Sequence, residues 1–194
     1  MPVFNNIEKI PLTILIFTII WSATLFLAPA SLQPGTVVDL DGKANMIDYQ
    51  SKWNELPIPQ RIIYYIGDLH CHQIANRSYF INGNQMPVCS RDVGVFVGCN
   101  FGIALVFFVD AKLSPTRAFL NLFIKKKKLE KLEHRRIYVS IILIISALPL
   151  VIDGFYQAIT AYESTNEIRL ITGLIVGIMY SFGTVVFITS EKNK

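Results

Sequence analysis

Charge is scarce in this chain. Only 16% of its 194 residues are Asp, Glu, Lys or Arg, against about 25% in an ordinary soluble domain, so a normal solvated surface is missing. Cysteine is scarce as well, with three in the whole chain, which excludes a disulfide-dense scaffold. Nine prolines and eleven glycines fall far short of a collagen-like composition, and an apolar content of 52% excludes disorder. No internal repeat is visible, and Lys125 to Lys128 form the one low-complexity tract. What the chain has in quantity is apolar sequence, with a mean hydropathy of +0.44. It reads as one integral membrane domain over residues 1–194, multi-pass in the cell membrane.

A hydrocarbon core requires about 20 mostly apolar residues per helix, because buried backbone groups must bond internally. Four stretches qualify: Ile10 to Leu32, Val93 to Val109, Ile137 to Ile159 and Ile168 to Ser190. The expected fold class is therefore all-α, a four-helix transmembrane bundle with a long outer loop (33–92) and a basic inner loop (110–136). The first stretch has a second reading, as a signal peptide, since Ala28-Pro29-Ala30 has the small residues of a cleavage site. Its apolar core exceeds the usual 7–15 residues and Lys9 is its only basic flank, which favours an uncleaved helix.

Orientation follows from basic residues in the loops. The inner loop holds nine, Lys112, Arg117, Lys125 to Lys128, Lys131, Arg135 and Arg136, and with Lys9, Lys192 and Lys194 one side has twelve. The loop from Ser31 to Asp92 has five basic residues and six acidic ones. Four spans with both termini cytoplasmic satisfy this bias and put the long loop outside. The net charge of +4 thus arises at a membrane face and calls for no nucleic acid. Partners of the basic loop are anionic lipid headgroups, worth about 1 kcal/mol per residue near the surface, or a membrane protein partner. Ser114-Pro115 followed by Phe119, Leu120 and Phe123 predicts a short interfacial helix.

Small residues let helices approach closely in lipid. Gly94, Gly98 and Gly102 form one such ridge and Gly173 and Gly177 another, favouring contact within the chain. In the outer loop, Pro34-Gly35, Asp41-Gly42, Pro57 and Pro59 are turn chemistry. The Ile-Ile-Tyr-Tyr-Ile run ending at Ile66 reads as a short interfacial turn, and Trp53, Tyr64 and Tyr65 as headgroup-level aromatics.

Ligand-type side chains crowd the stretch just before the second span: Asp68, His70, Cys71, His72, Gln73, Arg77, Cys89, Arg91 and Asp92. A second polar set, Asp153, Gln157, Glu163, Ser164, Asn166 and Arg169, lies around the end of the third span and the start of the fourth. Both converge on the outer face, where Asp153 is expected to pair with Arg169 or Arg91, because an ionisable residue at membrane depth is costly alone. The pattern Cys71-His72-Gln73, Arg77-Ser78 and Cys89-x-Arg91-x-x-Gly94 resembles the signature of the small membrane proteins catalogued as domain-of-unknown-function family 2085. Asp153-Gly154-x-x-Gln157, Glu163-Ser164-x-Asn166, Arg169 and Thr172-Gly173 look like that family's second half. The resemblance spans about Asp68 to Gly177, is loose at Asp92, and implies a polytopic membrane protein without a known reaction.

Several readings of these residues stay open. Zinc prefers soft and borderline ligands, so His70, Cys71, His72 and Cys89 are the metal candidates, although no standard zinc spacing is present. A Cys71–Cys89 disulfide is the structural alternative. Cys71 beside a histidine is a candidate nucleophile, and arginine forks suit phosphate. Gly67-Asp68-Leu69-His70 has the look of a calcineurin-like phosphoesterase loop, but the companion blocks are missing. The candidate set is therefore Cys71, His72, Arg91 and Asp153 for chemistry, with Arg77, Gln157 and Arg169 holding a cofactor or anion. The leading expectation is a metal- or thiol-dependent membrane enzyme acting on a lipid-linked or small anionic substrate. The alternative is a scaffold whose loop is held by the disulfide and salt bridges. A proton-coupled transporter would place its ionisable residues nearer the midplane.

Overall fold

A computed structural model describes residues 6–43, 45–110 and 112–190. Four helices are long and apolar enough to cross a membrane: α1 (Asn6–Ala30), α4 (Ser90–Leu105, extended by a 3-10 turn to Phe108), α7 (Arg135–Ile159) and α8 (Asn166–Thr189). Each coincides with a predicted span to within a few residues. The basic tail residues Lys192 and Lys194 lie outside the described residues.

The spans are not equal partners. α4 and α8 form the closest pair, α1 packs on α4, and α7 packs on α8. The glycine ridges make this pair. A side-chain carbon added at Gly94 would run into the Leu170 carbonyl, at Gly98 into that of Leu174, at Gly173 into that of Arg91 and at Gly177 into that of Val95. Backbone thus lies on backbone, the contact small residues permit when lipid offers no hydrophobic drive. α1 adds a polar link: Asn100 Nδ2 donates to Ser22 Oγ at 2.9 Å. α7 leaves Ile144, Ile145, Val151, Ile152 and Phe155 exposed, as a lipid-facing helix would.

The long loop is no loop. It folds as a lid over one end of the spans, with α2 (Gln50–Asn54), α3 (Ile58–His70), a 3-10 turn at Ala75–Arg77, and the antiparallel strands β1 (Phe80–Ile81) and β2 (Asn84–Gln85). Pro57 caps α3 and Pro59 sits in its first turn, where a missing N–H costs nothing and the fixed φ is already helical. These prolines start a 13-residue helix, whereas the sequence reading had only a short turn there. Asn82 and Gly83 both have positive φ and close the hairpin as its two central residues.

The lid has its own core. Trp53 and Tyr64 are fully buried and stack at 5.0 Å among Leu40, Val37 and Leu56, so neither sits at a headgroup surface. At the opposite end, α5 (Pro115–Asn121) and α6 (Lys126–Glu130) follow α4. The expected helix after Ser114-Pro115 is present, but Phe119 and Leu120 are fully buried. Phe119 packs on Phe182 of α8 at 5.2 Å, which corrects the interfacial placement.

Candidate functional site

The junction of lid and spans gathers most of the polar residues. It is built by three buried amides that replace the backbone pairing a large sheet would supply. Asn84 Oδ1 accepts from Val37 N at 3.0 Å, and Gln85 Oε1 accepts from Leu40 N at 3.1 Å. Gln73, held at φ +49°, donates through Nε2 to Pro87 O at 2.8 Å. A side-chain carbon at Gly67 would strike that same Pro87 carbonyl, so glycine is required where α3 crosses the segment that follows β2. Asp68 is fully buried and accepts from Trp53 Nε1 at 2.7 Å and Tyr49 N at 3.1 Å. It fixes α2 on α3.

A clamp ties the lid to the turn between α7 and α8. Arg77 Nε donates to Glu163 Oε1 at 3.0 Å, and Asn76 Nδ2 to Glu163 Oε2 at 3.1 Å. Ser90 Oγ lies 2.9 Å from Asn166 Oδ1 and 3.0 Å from Arg77 O. The two motif blocks of the sequence are thus two sides of one contact.

Beneath the clamp lies a thiol cluster. Cys71 is the residue after α3 and Cys89 the N-cap of α4; Asp92 sits one turn into α4. One ligand atom from each lies within 4.8 Å of the others. Cys89 N donates to Cys71 Sγ at 3.1 Å, and Cys89 Sγ is 3.2 Å from Asp92 Oδ2. Both thiols are free in this structure. The side-chain hydrogen bond between the two thiols, then burial, pushes the Cys71 thiol far up, and the same thiol–thiol bond holds Cys89 below the usual thiol range. The positive end of α4 favours the Cys89 thiolate further.

The histidines do not join this cluster. His70 ends α3 instead of lying in an extended segment, and its Nδ1 is 2.8 Å from Ile66 O of its own helix. His72 is exposed. Asp92 takes their place in the ligand set, because an N-cap residue and the residue three further along share one side of a helix start.

A guanidinium cluster adjoins the thiols. Arg91 of α4 pairs with Asp153 of α7, the expected partnership, and the pair is a polar link from α7 to α4. Arg169 of α8 is 3% exposed. Its Nε donates to Ser164 O at 3.1 Å, while Nη2 has no partner. Arg77, Arg91, Cys89 and Asp153 lie within its electrostatic reach, and among the described residues no carboxylate forms an ion pair with it. Arg91 Nε, Gln157 Nε2 and Ser164 Oγ are likewise buried without a partner. Of the candidate set, Cys71, Cys89, Arg77, Arg91, Asp153 and Arg169 are therefore neighbours, and Gln157 stands one turn from Asp153 on its face of α7.

A groove of 640 Å³ lies at the other end of the molecule, lined by Ser114, His134, Arg135, Arg136 and Phe187 among others. It is built by the basic segment and shares nothing with the cluster above.

Comparison with known proteins agrees with this picture. The family described as predicted membrane protein, DUF2085, matches residues 71–182, the segment that runs from the first cysteine of the cluster into α8. An uncharacterized protein of Methanocaldococcus jannaschii is 30% identical over 175 residues, covering 90% of each chain. An uncharacterized protein of Methanothermobacter thermautotrophicus is 32% identical over 108 residues, 56% of this chain and 78% of that one. No solved structure matches. Extended over both motif blocks and nearly the full length of one relative, the likeness makes this chain a member of the DUF2085 family of predicted membrane proteins.

Proposed function

We propose that this membrane protein binds an anionic group, a phosphate or carboxylate of a small or lipid-linked ligand, beside Arg169, with Arg91, Ser164 and Gln157 as further open donors. One observation carries the reading: the Arg169 guanidinium is buried at a span's end with Nη2 unpaired. An unpaired buried polar group costs about 1–3 kcal/mol and more when charged, and native proteins rarely leave one. An oxyanion accepts from several forked donors at once, and would satisfy in one step donors that the protein's own side chains leave open. The charge bias of the loops supports an outward-facing site at headgroup depth, in a cell membrane, with Lys125 to Lys128 against anionic lipid on the opposite side.

A scaffold role is the second reading, favoured by the Arg77–Glu163 and Ser90–Asn166 clamp. Arg169→Gln separates the two. The full chain in zwitterionic nanodiscs is titrated with inorganic phosphate and, separately, with short-chain phosphatidylglycerol, reading thermal stability. Under the binding reading one of the two raises the wild-type midpoint. Arg169→Gln abolishes that rise and leaves the unliganded midpoint unchanged or higher, since it removes an uncompensated charge. A variant that destabilises the unliganded protein, with no ligand effect in the wild type, overturns the binding reading and leaves the scaffold.

A further inference from the structure

We infer that Cys71, Cys89 and Asp92 form a site for one soft divalent cation of the zinc class, with three protein ligands and a fourth position left to solvent or an exogenous ligand. The argument is geometric. A tetrahedral zinc ion with bonds of about 2.3 Å to sulfur and 2.0–2.2 Å to oxygen sets its ligand atoms about 3.5–3.8 Å apart. The three atoms of this cluster lie within 4.8 Å of one another, and the Cys89–Asp92 edge is 3.2 Å. Small rotations close the set around an ion, and no backbone has to move.

Each ligand is also held independently of any metal. Cys71 follows the last turn of α3, its N–H bonded to Gly67 O at 2.8 Å, and Gly67 is pressed onto Pro87. Cys89 and Asp92 come from the rigid start of α4, a 16-residue helix. Ligands on rigid elements give the preorganisation a metal site needs. The donor set of two thiolates and a carboxylate suits zinc and excludes magnesium or calcium, which take oxygen ligands.

Charge favours the ion as well. Two thiolates and one carboxylate sum to three negative charges, so a doubly charged cation leaves one negative charge facing the field of Arg169, which reaches Cys89. The structure thus assigns a ligand set that differs from the one the sequence suggests: Asp92 replaces His70 and His72. Three protein ligands and an open position is the arrangement of reactive zinc sites, whereas purely structural ones are closed by four. This inference stands apart from the anion pocket, because it concerns different atoms and a ligand of opposite sign.

The test uses the full chain purified in mild detergent without chelator. Elemental analysis is expected to give about one equivalent of zinc per chain. Replacement by cobalt is expected to give a sulfur-to-cobalt charge-transfer band with tetrahedral d–d absorption. Cys71→Ser and Cys89→Ser lose both signals, Asp92→Asn weakens cobalt binding about 10-fold or more, and His70→Ala with His72→Ala leaves them unchanged. Should the cysteine variants fail to fold, wild-type protein still decides: bound zinc slows maleimide labelling of Cys89 and chelator restores it. Absence of metal and of the cobalt band in wild-type protein overturns the inference. So does a thiol count showing both cysteines consumed in a disulfide, or cobalt binding that is indifferent to Asp92→Asn.

Discussion

The Arg91–Asp153 pair can be tested with Asp153→Asn. Asp153 has 6% of its side chain exposed and Arg91 21%, so the pair sits mostly out of water at the end of two spans. At 4 Å and an effective dielectric of 20, the attraction of two unit charges is about 4 kcal/mol. Removing one partner of a buried pair typically costs 3–5 kcal/mol, and the partial exposure of Arg91 sets the expectation near the low end, about 3 kcal/mol. For a chain of this size each kcal/mol moves the thermal midpoint by about 2–4 °C, so a fall of about 6–12 °C is expected in nanodiscs of fixed lipid. Arg91→Met with Asp153→Leu recovers much of it, since a well-packed apolar pair replaces a buried ion pair at little cost. Anion affinity moves the other way, because Asp153 competes with the ligand for Arg91, so Asp153→Asn tightens phosphate binding while weakening the fold. A midpoint shift below about 2 °C, or a double variant as damaged as the single one, would refute the reasoning.

Cys89 is expected to alkylate with a midpoint below the ordinary thiol value of about 8.5, and Cys71 to resist at every pH tested. Cys71→Ala moves the Cys89 midpoint upward by removing the hydrogen bond that lowers it, and equal pH profiles for both thiols would sink this account. Gly98→Val should destabilise by about 1–3 kcal/mol or more, since the added carbons meet the Leu174 carbonyl; an unaltered thermal midpoint would mean that α4 and α8 are not in backbone contact. Asp68→Ala leaves the buried Trp53 indole and the half-buried Tyr49 amide unpaired, a cost of about 2–4 kcal/mol. Hydrogen exchange should accelerate throughout α2 and α3 but not in the four spans, and unchanged protection at Tyr49 would count against Asp68 as their anchor.

The spans were legible because a membrane demands long uncharged runs and nothing else in the chain imitates one. The glycine ridges were legible for the same kind of reason: small residues at fourfold spacing on apolar helices have few other uses. Asp153 announced a partner because a lone carboxylate at that depth is too costly to tolerate, and Arg91 supplies it. The lid was not legible. Pro57 and Pro59 have the same one-letter signature whether they break a helix or begin one. The aromatic rings of Trp53 and Tyr64 satisfy a headgroup layer and a buried core equally well in sequence. The Asn82-Gly83 pair was a usable hairpin signal that went unread. At the thiols, the misleading feature was adjacency. His70 and His72 flank Cys71 along the chain, but the end of α3 turns their rings away, whereas Asp92 arrives from another element through helix geometry that only the start of α4 reveals.

The glycine contact between α4 and α8 has a consequence for how the molecule is made. Ser90 and Asn166, which mark where the two helices start, are 76 positions apart, and α8 is the last of the described spans to leave the ribosome. Until it inserts, α4 must wait in lipid with a bare stripe of backbone along one side, and α7 enters the bilayer before the helix it leans on exists. Assembly is therefore back-loaded among these four helices: the decisive docking event waits for the last of the described spans. Truncations or substitutions near residues 173–177 should then be met by membrane quality control as unassembled intermediates, well before any question of ligand binding arises.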